Sequence, residues 1–219
     1  MNHTSEHYIN ATNKSLIPSQ LLHPHSILNY LTKSWLFVAL VGQWIFASYI
    51  FARFAIPTLS GTLSSADTAG LIKGYVDGDK FNNGVLMLHL LPAILLSFGG
   101  MFQLLPYLRN KYPAFHRWNG RMFLTLGLLG ALTGLYLTWG RGSRLSDIGA
   151  IGVTINGLLI LLAATLAWRY AVKRQFQTHM RWATHAFILI NGVWSFRLYL
   201  MSWFILNQGA NGNTEKMDG

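Results

Sequence analysis

An all-α fold, a multi-pass helical bundle set in a membrane, is the class this sequence predicts, and three observations predict it. More than half of the 219 residues are hydrophobic and only 11% are charged. The mean hydropathy is positive, at +0.32. The apolar residues fall in five runs, each near the roughly 20 residues a helix needs to cross a hydrocarbon core of about 30 Å. Backbone groups exposed to lipid have no water to bond, so runs of this kind read as helices that satisfy themselves.

In chain order, residues 1–34 are polar and form the expected cytoplasmic N-terminal segment. No basic stretch leads straight into an apolar core there, so no cleavable signal peptide is expected. His3, His7, His23 and His25 lie in this segment and read as solvated rather than metal-binding. The first span runs from Trp35 to about Ile56. Residues 57–83 turn polar, with Pro57, Asp67, Asp77 and Asp79, and form a loop with a short helix expected around Ala66 to Tyr75. Four more spans follow near 84–105, 118–139, 147–170 and 182–206. Residues 35–206 thus make one five-helix membrane domain, with helices two to five as a four-helix bundle and the first helix outside it. The stretch 207–219 is a polar tail.

Charge placement gives the orientation. With the N-terminus inside, the inner side carries Lys14, Lys33, Arg109, Lys111, Arg117, Arg121, Arg169, Lys173, Arg174 and Arg181 against Glu6 alone. The outer cations are balanced by carboxylates. Lys and Arg are retained on the cytoplasmic side of spans, so the expected location is a bacterial cytoplasmic (inner) membrane, N-terminus in and C-terminus out. The net charge of +10 and the pI of about 10.1 are then a topology signal, with anionic inner-leaflet lipid as the attracted partner and no nucleic acid. There is no cysteine, which excludes disulfides, thiolate metal sites and cysteine nucleophiles.

Four of the helices are uneven around their circumference. From His89, helical steps give Ala93, Leu96, Gly100 and Gln103. From His116 they give Gly120, Phe123, Gly127 and Gly134, with Gly130 alongside. The fourth helix aligns Gly149, Gly152, Asn156, Ile160 and Ala163, and the fifth His185, Leu189, Gly192 and Phe196. Small residues let membrane helices approach closely and polar ones turn from lipid toward each other. These seams are expected to face inward.

The stretch LHLLPAILLSFGGMFQLLPYLRNKYPAFHRWNGRMF, followed by THMRWATHAF and Arg197, resembles a family of bacterial multi-pass membrane proteins, domain of unknown function 2306. The resemblance covers most of residues 84–200 and rests on His89, Gly99, Gln103, Arg109, Pro113, His116, Arg117, Gly120 and Arg121, then on His179, Arg181 and Trp182. The chain departs from the pattern at Ala183 and at Thr184, where an arginine is usual, and His185 is an addition. The resemblance implies a membrane fold and no defined activity.

The residues leave several functions open. One is a b-type haem or quinone-linked redox protein, in which imidazoles from facing helices ligate iron. At the inner side His116 with His185 or His179 is the expected axial pair, the metal resting on His116 and His185, with Arg117, Arg121 and Arg181 for propionates. At the outer side only His89 is available, near the depth of Arg197 and Met201. His89 and His116 stand roughly 25 Å apart along the membrane normal, too far to share a ligand. A second reading needs no cofactor: His89, Asn156 and Arg197 form a polar pocket for a proton, a quinone head group or a small solute. A third is an accessory subunit whose seams serve assembly. Zinc or copper on His116, His179 and His185 is a further option. No phosphate-binding loop, HExxH pattern or carboxylate pair is present.

Overall fold

The computed structural model describes residues 24–65, 73–143 and 146–206, apart from the side chains of residues 24–25, Arg197, 200–201 and 203–206. Of the described residues 88% are helical, and none is in a strand. The histidines at 3, 7 and 23, the side chain of His25, most of the short helix expected between Ala66 and Tyr75, and the tail 207–219 lie outside the described residues.

Two units are distinguished, Met1–Val41 and Gly42–Gly219. Helix α1 (Pro24–Ile50) begins in the first and continues into the second. In the first unit it exposes Leu28, Tyr30, Leu31, Phe37 and Val38, as suits a helix facing hydrocarbon. The second unit carries α2 (Ile56–Ser60), α3 (Lys80–Gly99), α4 (Pro106–Lys111), α5 (Pro113–Leu135), α6 (Asp147–Val172) and α7 (Phe176–Leu206).

Among the described residues, four helical stretches are long and apolar enough to cross a membrane: Ser26–Ser60, Lys80–Leu104, Pro113–Gly140 and Asp147–Val172. Each contains the span expected from sequence or matches it to within a few residues. The fifth expected span, 182–206, is helical throughout as part of α7, but it is not among the four.

Local chemistry explains where the helices bend and stop. Pro57 has no N–H to offer the carbonyl four residues back, and the chain adjusts by a π-turn over Phe51–Ala55, where the Ile56 N–H reaches Phe51 O. The Thr58 hydroxyl then bonds Phe54 O, and Gly61 closes α2 in the left-handed conformation at φ 70°. At the other end of the molecule, prolines bracket α4. Leu105 before Pro106 is extended, and Tyr112 before Pro113 is non-helical, because the proline ring crowds the α region of the residue preceding it. Both prolines open helices, a position where the missing N–H costs nothing. Ser146 caps α6 by accepting from Gly149 N at 3.0 Å.

Helix α5 packs against α3 and α6, and α6 packs against α7. The first helix is less peripheral than its composition predicts. Ile50, and Phe54 just beyond it, join Leu86, Leu90 and Leu137 in one buried cluster. The seams on α3 and α5 face inward as expected; on α6 the expected Ile160 and Ala163 are buried but Gly152 is not, and on α7 the seam is displaced. Helix α6 buries Ala150, Gly157, Ile160, Ala163, Ala164 and Ala167, while Gly152 is exposed. Helix α7 buries Ala186 and Phe187, and His185, Gly192 and Phe196 lie on its exposed side.

Candidate functional site

Polar groups recur along the α3/α5 interface at a constant antiparallel register. At the loop end, Tyr136 donates its hydroxyl to Asn82 Oδ1 at 2.7 Å. Next comes His89, whose Nδ1 lies 3.1 Å from Gly130 O and 3.0 Å from Thr133 Oγ1. A carbonyl accepts only, and the Thr133 hydroxyl already donates to Leu129 O at 2.7 Å. Nδ1 is therefore the protonated nitrogen and Nε2 carries the lone pair. Further down, Asn119, only 7% exposed, donates to Gly99 O at 2.8 Å. At the basic end Gln103 donates to His116 O at 3.3 Å.

The glycines of these seams serve that contact. A Cβ on Gly99 would stand 2.8 Å from Asn119 Oδ1, on Gly100 2.7 Å from Phe123, on Gly120 3.1 Å from Gln103, and on Gly134 3.1 Å from His89. Gly127 receives Ile190 and Gly157 receives Leu135. The room that the sequence offers for a flat macrocycle is thus filled, at these positions, by side chains of neighbouring helices. Gly130 is open.

A second polar contact lies away from that interface. Gln43, in the middle of the first apolar run and only 2% exposed, donates its amide to Asn191 Oδ1 on α7. Asn191 in turn donates to Phe187 O at 2.8 Å. The carbonyl oxygen of Gln43 is buried and has no partner. Beside it Gly42 lets Trp194 come so close that a Cβ there would lie 1.9 Å from the indole. Sequence reasoning missed Gln43 because the first helix reads as evenly apolar; the one signal was a long amide next to a glycine in the middle of it.

The basic end gathers several of the expected residues. Arg109, His179 and Arg117 all lie close enough to His116 for their charges to act on it. His179 donates Nδ1–H to Ala167 O at 2.8 Å, which ties α7 to α6. His116 Nδ1 is buried without a partner. His185, the other half of the expected axial pair, is exposed. It spends Nδ1 on Arg181 O of its own helix at 2.7 Å and lies against Trp182 at 5.7 Å. Of the two expected partners, His179 is the one whose charge acts on His116. Among the described residues no three His, Asp or Glu side chains group closely enough to hold a metal ion.

His89 and His116 remain apart: Gly130 and His116 are separated by roughly 21 Å of α5 at 1.5 Å per residue. Asn156 is half-buried on α6, and no hydrogen bond joins it to His89. The backbone of Arg197 lies on α7, and its side chain is outside the described residues. Contacts of Phe123 with Phe187 and of Gly127 with Ile190 set a parallel register between α5 and α7. Continued up both helices, that register brings the Arg197 backbone to the level of Gly134.

The loop end is closed by hydrogen bonds. Asn83, 6% exposed, clasps the backbone of Val76 from both sides, at 3.0 Å to its N–H and 2.6 Å to its carbonyl. Arg141, 8% exposed, donates to the carbonyls of Asn82 and Gly74. Lys73 donates to Arg141 O at 2.7 Å. A cavity of about 360 Å³ opens here between Thr58, Gly61, Tyr75, Asn83 and Met87.

A family model described as "Predicted membrane protein (DUF2306)" matches residues 86–216, which take in most of α3 and all of α4 to α7. No curated protein and no solved structure matches the chain.

Proposed function

We propose, from the premise that the chain belongs to the DUF2306 family of membrane proteins, that it is a cofactor-free protein that passes a proton or a small hydrogen-bonding solute through a polar interior. The observation that carries this reading is the buried, unpartnered carbonyl oxygen of Gln43 in its amide pair with Asn191. An orphaned acceptor deep in a membrane protein is costly, and a donor from outside the protein (water, a protonated solute, a quinol hydroxyl) removes the cost. His89 supports the same reading, since ionisable groups within spans are functional by default. Its Nδ1 is held by Gly130 O and Thr133 Oγ1, which fixes the ring in place between α3 and α5.

The test is flux through the full chain in liposomes loaded with a pH-sensitive dye, with a potassium diffusion potential imposed. Proton entry above that of protein-free liposomes, reduced at least tenfold in His89→Ala and Gln43→Leu, is the expected result. If the wild-type protein conducts neither protons nor small amines and alcohols, the reading fails.

The accompanying topology has five spans, with α7 as the fifth, the N-terminus inside the bacterial inner membrane, and the loop around Asp77 outside. Its length supports this: α7 has 31 residues, roughly 46 Å of helix. Because the chain has no cysteine, single replacements map it directly. Asp77→Cys should react with an impermeant maleimide in intact cells and Lys173→Cys only after lysis.

A redox reading is favoured by one observation: His179 donates Nδ1–H to the Ala167 carbonyl at 2.8 Å, the arrangement that leaves Nε2 as a ligand, and its charge acts on His116. A haem b there predicts a Soret band that shifts with dithionite and disappears in His179→Ala. Its absence from haem-replete preparations rules this reading out.

A further inference from the structure

The sequence holds no carboxylate from Lys80 to Ser146, nor from Ile148 to Thr214. Helices α4, α5 and α7 therefore contain no carboxylate to balance the cations they carry at the basic end. Two of these helices, α5 and α7, both begin there, and each places a histidine in its first turn, His116 and His179. Unpaired N–H groups and the helix dipole make such a beginning attractive to anions. Arg109 reaches across from α4 to α7, its Nη1 3.5 Å from Met180 Sδ. Arg117, exposed on α5, acts with Arg109 on the same histidine, His116. His116 adds a buried ring nitrogen that has no partner among the described residues.

We propose that this mouth, between Arg109, Arg117, His116 and His179, is a binding site for a phosphate group. The guanidinium forks of Arg109 and Arg117 match phosphate oxygens, which a general excess of positive charge does not require. Two sources supply that chemistry: the phosphodiester of an anionic lipid, or a phosphorylated solute. The site is independent of the flux reading above.

The test uses the full chain purified in a neutral detergent, with binding followed by thermal stabilisation and native mass spectrometry. The probes are phosphatidylglycerol against phosphatidylcholine, and inorganic phosphate against chloride at equal ionic strength. Preferential binding of phosphatidylglycerol alone assigns a lipid, and binding of inorganic phosphate assigns a solute. In either case Arg109→Gln/Arg117→Gln should weaken binding at least tenfold. Lys111→Gln/Lys173→Gln removes the same two charges from exposed positions at the same end and should leave binding within twofold. Equal loss in both double variants overturns the site, as does failure of both phosphate probes to bind above their controls. Arg109→Lys/Arg117→Lys keeps the charge without the fork and is expected to be intermediate, so lost binding there in a protein with an unchanged melting profile separates recognition from misfolding.

Discussion

The imidazole of His89 lies against Gly134, its Cε1 3.1 Å from the point where a Cβ would stand. The glycine is thus the floor of the histidine's slot, and Gly130 and Thr133 on the same helix hold its Nδ1. One turn of α5 fixes both the position and the tautomer of a residue on α3.

That slot predicts a graded series. Gly134→Ala forces the ring to give by a few tenths of an ångström, and Gly134→Leu drives it out, at about 1–3 kcal/mol. Gly130→Ala meets nothing within 4 Å and should stay within about 0.5 kcal/mol of wild type. Unfolding in mixed micelles, followed by circular dichroism, measures all three; equal effects at 130 and 134 would show that the ring is not seated as described.

Gln43 and Asn191 predict a double-mutant cycle. Gln43→Leu leaves Asn191 Oδ1 without its donor and should cost about 0.6–1.7 kcal/mol. Gln43→Leu/Asn191→Leu removes both groups and should recover most of that. If the double variant is stable yet still conducts, the amide pair is packing and nothing more.

Gly42 and Gly127 predict opposite tolerances. At Gly42 an added Cβ meets the rigid indole of Trp194 at 1.9 Å, whereas at Gly127 it meets only the tip of Ile190 at 2.5 Å. Gly42→Ala should cost about 1–3 kcal/mol by overpacking, and Gly127→Ala clearly less. Melting temperatures in detergent rank them.

Arg141→Lys should loosen the loop end. It loses the fork that holds the carbonyls of Asn82 and Gly74, at about 1–3 kcal/mol. The effect is expected as faster amide exchange around residues 73–83, with exchange in α6 unchanged. A uniform rise across the chain would contradict it.

Four of the five expected spans were legible because length and hydropathy alone decide them, and the breaks at Pro106 and Pro113 because proline restricts the residue before it. The α3/α5 seam was legible too. His89, Gly100 and Gln103 on one helix, and Gly120, Phe123, Gly127 and Gly134 on the other, stand out from an apolar background. The α6 seam was legible only in part: Ile160 and Ala163 are buried as expected, but the stripe also takes in Ala150, Gly157, Ala164 and Ala167, and alanine looks equally at home against lipid. On α7 the sequence favoured a seam through His185. Six residues of helix turn His179 and His185 to different faces, and only His179 meets a neighbouring helix. Gln43 escaped notice because its meaning lies in a partner 148 residues away.

That separation bears on how the chain is made. Residues 80–140 meet the bilayer as a hairpin whose Tyr136, His89, Asn119 and Gln103 are already bonded across it, so it can leave the translocon in one step. The first helix has no such companion. The partner of its amide lies on α7, so a helix made after the hairpin is the one that holds it, and premature termination before Asn191 should release α1 to quality control.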